Sequence, residues 1–102
     1  MHMVQLLLPL FDNTGQELPR ALHQQVSAEL SERFGGLTAY TRAPAKGLWR
    51  EGPSATVHDD IVVYEVMTAD VDRAWWTAYR RSLEERFRQQ QVVIRAHRID
   101  LL

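Results

Sequence analysis

Cysteine is absent from this chain of 102 residues. Its absence excludes a disulfide framework, a thiolate nucleophile and any Cys-ligated zinc or iron–sulfur centre. Stability must therefore come from packing, within one chain or between copies of it. An excess of charge of either sign is also missing, since 12 Lys+Arg oppose 13 Asp+Glu for a net charge of −1. That removes the basic footprint of a general nucleic-acid binder, and no nucleic-acid partner is expected. No apolar run approaches the roughly 18–20 residues of a membrane span, and no lipidation motif is present, so no membrane partner is expected either. The apolar run from Val4 to Phe11 lacks a basic start and leads into Asp12-Asn13, so it reads as a strand rather than a secretory leader. A cytoplasmic location is the expectation. The chain has no internal repeat, glycine-rich phosphate loop, Gly-x-Ser-x-Gly elbow or His-Glu-x-x-His. The aromatic strand motif of RNA-recognition modules is missing too. No cofactor and no metal is expected.

What is present is a composition of 45% hydrophobic and 25% charged residues, enough for one core and too short for a second, so residues 1–102 read as a single domain. The first strand should stop near Phe11, where Asp12-Asn13-Thr14-Gly15 forms a turn cluster. Leu22, Val26, Leu30 and Phe34 then recur every four residues and predict a helix from Pro19, in its first turn, to a glycine stop at Gly35-Gly36. Leu37 to Arg42 is a short strand, and residues 43–56, rich in Pro and Gly, read as a long loop. Ile61 to Met67 is the most β-branched run and should be a central strand. Asp70 is the expected cap of a second helix whose face carries Val71, Trp75, Trp76, Tyr79, Leu83 and Phe87. Its late arginines match the macrodipole, and with Glu84 and Glu85 they form a solvated, salt-bridged surface. A last strand covers Val92 to Ile99. The order β-α-β-β-α-β with right-handed crossovers predicts an α+β, ferredoxin-like sandwich: a four-stranded antiparallel sheet with both helices on one face.

Strand parity divides each strand between the helix side and an open side. Val4, Leu6, Leu8, Leu10, Leu37, Ala39, Val92, Ile94 and Ala96 are assigned to the helices; the third strand is apolar on both sides and parity leaves it open, Val62, Tyr64 and Val66 inward leaving Ile61, Val63, Glu65 and Met67 outward. Met3, Leu7, Ile61, Val63, Met67 and Val93 fall on the open side, which is too apolar to stay wetted on a monomer. A homo-oligomer, dimer or trimer, is therefore expected. Among those apolar groups lie Gln5, Tyr40, Arg42, Glu65, Arg95 and His97. Two accounts fit that cluster. One is an interface network in which a carboxylate is satisfied by guanidinium groups. The other is a small-molecule pocket in which Arg42 or Arg95 holds an anion and Glu65 or His97 moves a proton. Trp49, in the loop with Arg50 and Glu51, would anchor a neighbouring subunit or cover that pocket.

The remaining candidates have structural explanations. His58, Asp59 and Asp60 offer nitrogen and oxygen ligands, with His2 or His97 nearby in kind, but neighbouring strand residues point to opposite faces and cannot easily share one ion. Trp75 and Trp76 lie on the apolar side of their helix and read as core.

The stretches Phe34-Gly35-Gly36-Leu37-Thr38-Ala39-Tyr40, Ala43-Pro44-Ala45, Gly47-Leu48-Trp49, Asp59-Asp60-Ile61-Val62-Val63-Tyr64-Glu65 and Asp72-Arg73-Ala74-Trp75-Trp76 resemble a family of small uncharacterised bacterial proteins of ferredoxin-like fold. The resemblance spans most of the chain and implies no activity. A tryptophan in the loop after the second strand, followed by acids and a long apolar strand bearing a glutamate, is similar to CutA-like divalent-cation tolerance proteins, which are trimers. The cysteine usual there is absent here, so metal binding is not carried over. By architecture the chain is also similar to the dimeric α+β barrel group, which includes cofactor-independent monooxygenases. Two functions follow as expectations: an oligomeric binding or scaffold module, or a small monooxygenase- or isomerase-like enzyme acting on a small organic molecule at the open face.

Overall fold

A computed structural model describes residues 1–42 and 60–102. The described residues form six elements in the order β1 (His2–Pro9), α1 (Arg20–Phe34), β2 (Thr38–Arg42), β3 (Ile61–Thr68), α2 (Arg73–Arg86) and β4 (Val93–Arg98). The sheet order is β2-β3-β1-β4, and every neighbouring pair is antiparallel. This is the ferredoxin-like βαββαβ fold, with the two most apolar strands in the middle. Residues 43–56, including Trp49, and the pair His58-Asp59 lie outside the described residues.

β1 ends at Pro9, and Phe11 makes only an isolated bridge to Glu17. Asp12 drives that turn: its Oδ1 accepts the Thr14 hydroxyl at 2.7 Å, the Thr14 N–H at 2.8 Å and the Gln16 N–H at 2.9 Å. Those donors, the Thr14 hydroxyl foremost, hold the carboxyl below its ordinary value. Gly15 supplies the positive φ of 85° that the turn needs. α1 starts at Arg20, so Pro19 precedes the helix, in extended backbone at φ −57° and ψ 135°. Gly35 closes the helix in the left-handed region, its N–H donating to Ser31 O at 2.9 Å.

α2 corrects the expected cap. Asp72, not Asp70, is the N-cap, with its Oδ1 accepting the Trp75 N–H at 3.0 Å. Asp70 still belongs to the turn after β3, where its carbonyl accepts the Thr68 hydroxyl at 2.8 Å. Further along α2, Glu84 accepts from Arg80 at 3.0 Å and from the Val92 N–H at 3.0 Å, tying the helix to the entry of β4. The Val92 N–H is the main reason its carboxyl titrates below the ordinary range.

One apolar cluster fills the space between sheet and helices. Val4, Leu6 and Leu8 of β1 and Val62, Tyr64 and Val66 of β3 meet Val26 and Leu30 of α1 and Trp76, Tyr79 and Leu83 of α2. Phe34, Trp75 and Tyr79 extend it as an aromatic ladder, with Trp75 and Tyr79 stacked at 4.8 Å and the Arg33 guanidinium 4.0 Å above Trp75. Leu10, Leu37 and Ile94 pack against its margin. Ala39 and Ala96 do not share in it: both are exposed, because parity assigns a face but the helices do not cover the whole of the edge strands β2 and β4.

Candidate functional site

The opposite face of the sheet carries the sequence-derived candidates, and strand register arranges them in rows. Gln5 pairs with Glu65 on one side and Arg95 on the other, and Glu65 pairs in turn with Thr38. The resulting row Thr38–Glu65–Gln5–Arg95 crosses all four strands. Above it runs Tyr40–Val63–Leu7–Val93, and below it Met67–Met3–His97. A polar row thus lies between two that are largely apolar. Met3, Leu7, Ile61 and Val63 are half-buried, whereas Tyr40, Met67 and Val93 are 50%, 50% and 44% exposed.

Within the polar row the side chains form a directed chain of hydrogen bonds. Arg95 Nε donates to Gln5 Oε1 at 2.9 Å, and Gln5 Nε2 donates to Glu65 Oε2 at 2.6 Å. The amide can point only this way, because the flipped rotamer would set its N–H₂ against the guanidinium and its carbonyl against the carboxylate. Among the described residues Glu65 is therefore linked to Arg95 through Gln5 rather than directly to a guanidinium. Gln5 stands between the two charges. Tyr40 lies close to the same carboxylate, and Glu65, as hydrogen-bond acceptor and as charge, pushes its phenol above the ordinary value.

Gln5, Tyr40, Glu65 and Arg95, with Leu7, Ile61 and Val63, line a concavity of about 440 Å³ that opens away from the helices. Its chemistry is bipolar: a guanidinium at one end suited to an anion, a carboxylate and phenol at the other suited to a donor. His97 shares the face but sits one row away, opposite Met3, and makes no hydrogen bond among the described residues. Arg42 is placed by its backbone at the end of β2, opposite Ile61. The structure thus brings together Gln5, Tyr40, Glu65 and Arg95 of the expected cluster and leaves His97 at the margin.

A second polar pair was not anticipated. His23 of α1 reaches the Tyr64 hydroxyl through Nδ1 at 2.6 Å and the Pro9 carbonyl through Nε2 at 3.0 Å. A carbonyl only accepts, so Nε2 carries the proton and the Tyr64 hydroxyl donates to Nδ1. Burial pushes the imidazole below its ordinary value and the Tyr64 phenol above its own. The signal for His23 lay in its spacing from Val26 and Leu30, three and seven residues on, which puts it on the core face. Between the helices, Arg86 holds Glu29 with both guanidinium arms, at 2.5 and 3.1 Å, and Tyr79 donates to the same carboxylate at 3.2 Å. These groups clamp α1 to α2 and lie on the far side of the sheet from the concavity.

Among the described residues no group of three or more His, Asp and Glu side chains is placed to hold a metal ion. No described helix is long and apolar enough to cross a membrane. No family model matches the chain, and neither a curated protein nor a solved structure matches it.

Proposed function

We propose that this chain is a binding or scaffold module that works as a homo-oligomer assembled through its open sheet face, in the cytoplasm. The observation that carries the reading is the row Thr38–Glu65–Gln5–Arg95 held between two largely apolar rows on the face of the sheet opposite α1 and α2. Apolar side chains on both flanks favour exclusion of water. The charges in the middle favour one partner and one register over others. Solution mass by light scattering at micromolar concentration tests this: an oligomer is expected, shifted toward monomer by Glu65→Gln. A stable wild-type monomer would refute it.

The concavity favours a second reading. At about 440 Å³ it exceeds the roughly 300 Å³ at which ligand sites begin, and its polar groups converge. Assembly over this face would close it into a chamber for a small organic acid, held by Arg95 with Glu65 and Tyr40 opposite. The analogy to enzymes of the dimeric α+β barrel group supports the chamber by architecture only. Under this reading Glu65→Gln leaves the mass unchanged and alters retention of a small hydroxy-substituted aromatic carboxylate, measured by equilibrium dialysis.

A further inference from the structure

The charged row has a property that its sequence order alone does not reveal. Carboxylate and guanidinium sit on either side of β1, one strand away in each direction, with Gln5 between them. Rotating a second copy by 180° about an axis parallel to β1, in the plane between two facing sheets, reverses the row and leaves its height along the strands unchanged. Glu65 of one copy then faces Arg95 of the other, twice. A two-fold axis across the strands does the opposite, stacking Glu65 on Glu65 and Arg95 on Arg95. Only the first arrangement is electrostatically self-complementary.

The neighbouring rows agree with it. Reversal sets Val63 against Val93 and Leu7 against Leu7 in the upper row, and Met67 against His97 with Met3 against Met3 in the lower. Hydrogen bonding inside one chain leaves acceptor and donor capacity for the pair: among the described residues Arg95 donates to Gln5 through Nε, and Glu65 accepts from Gln5 on Oε2 with Tyr40 beside it. Arg95 is exposed at the edge strand, so its remaining N–H groups can reach across the roughly 10 Å between packed sheets. Three to four strands at about 4.8 Å spacing and some seven residues at about 3.4 Å give a face of about 700–900 Å² counted on both copies, the area of a weak dimer, so the two ion pairs must supply its register.

Resting on the proposal that the chain assembles through this face, we infer that its partner is a second copy of itself, related by a two-fold axis parallel to β1 that pairs Glu65 with Arg95 of the other copy in two reciprocal ion pairs. Gln5 orients both charges from within each chain.

Charge reversal tests the pairing. Glu65→Arg and Arg95→Glu should each weaken self-association by about a hundredfold or more, since each sets like charges face to face. Mixed in equal amounts, the two variants should recover a dimer by light scattering, because every facing pair is then opposite in sign. A mixture that stays monomeric while both variants keep the wild-type circular dichroism overturns the pairing. A wild-type trimer overturns the two-fold axis but not assembly through the face, whereas a wild-type monomer refutes assembly itself. If either reversal unfolds the chain, the lack of native cysteine gives an independent measurement. Glu65→Cys mixed with Arg95→Cys should cross-link through a short bis-maleimide into a mixed dimer, with neither variant cross-linking alone. Cross-linking of Glu65→Cys to itself would instead select the axis across the strands and overturn the inference.

Discussion

His23 is the residue whose protonation the fold opposes most directly. Its two ring nitrogens are both engaged, one donating to Pro9 O and one accepting from Tyr64. A second proton on Nδ1 would force the Tyr64 hydroxyl, buried under the helices, to stop donating there. Burial is the leading cause of the lowered pKa, so the unfolded chain takes up a proton at a pH where the folded chain does not. The corresponding stability is complete above the ordinary value of 6.5 and declines as pH falls from there to the depressed folded value, below which it levels off. Urea unfolding at pH 7.5 and pH 5.5 should therefore show a loss at the lower pH, and His23→Phe should flatten that difference. An unchanged difference in the variant would assign the loss to other groups. The pair was hard to read from sequence because a histidine beside Leu22 resembles any surface polar residue until its spacing to Val26 and Leu30 is counted.

At the scale of elements, the two candidate caps of α2 give a sharp contrast. Asp72 accepts the Trp75 N–H, whereas the part Asp70 plays in the preceding turn is a carbonyl, which any residue supplies. Asp72→Ala should cost about 1 kcal/mol, within the usual 0.5–2 kcal/mol for a lost cap, and Asp70→Ala only a few tenths. Equal losses in thermal unfolding would contradict the assignment. The helix itself was legible, since Trp76, Tyr79, Leu83 and Phe87 fall on one face and are all buried. Its start was not, because Asp70 and Asp72 are equally good capping residues and only the path of the chain out of β3 separates them. Alternation settled β1, where Val4, Leu6 and Leu8 are buried as assigned, whereas β3 is apolar on both sides and only the structure selects Val62, Tyr64 and Val66 as its buried set. At the edges parity names a face without guaranteeing burial, and Ala39 and Ala96 remain exposed.

At the scale of the whole molecule, the faces of Tyr40 and Arg95 were legible from parity and the order of their strands from the fold, whereas the face of Glu65, on a strand apolar on both sides, and the alignment of the three along the strands were not. Register made Gln5 the bridge and put His97 in a different row, and no single strand encodes register. The sheet has two unlike faces: one packed by α1 and α2, the other bearing half-buried Leu7 and Val63 with Met67 and Val93 exposed among the described residues. If copies cover that face, unfolding and dissociation become one equilibrium and apparent stability depends on concentration. For a dimer of this length, raising the concentration about a hundredfold should raise Tm by about 6 °C. Val63→Lys puts a charge in the upper row, next to Leu7 and Tyr40, without touching the helix-side core. That variant should keep the wild-type far-ultraviolet spectrum and lose the concentration dependence, since a lysine at the centre of a water-excluding contact has no partner there. Calorimetry across that range separates the two outcomes: a wild-type Tm that does not move with concentration means that the apolar rows stay wetted, and the face then belongs to a monomer.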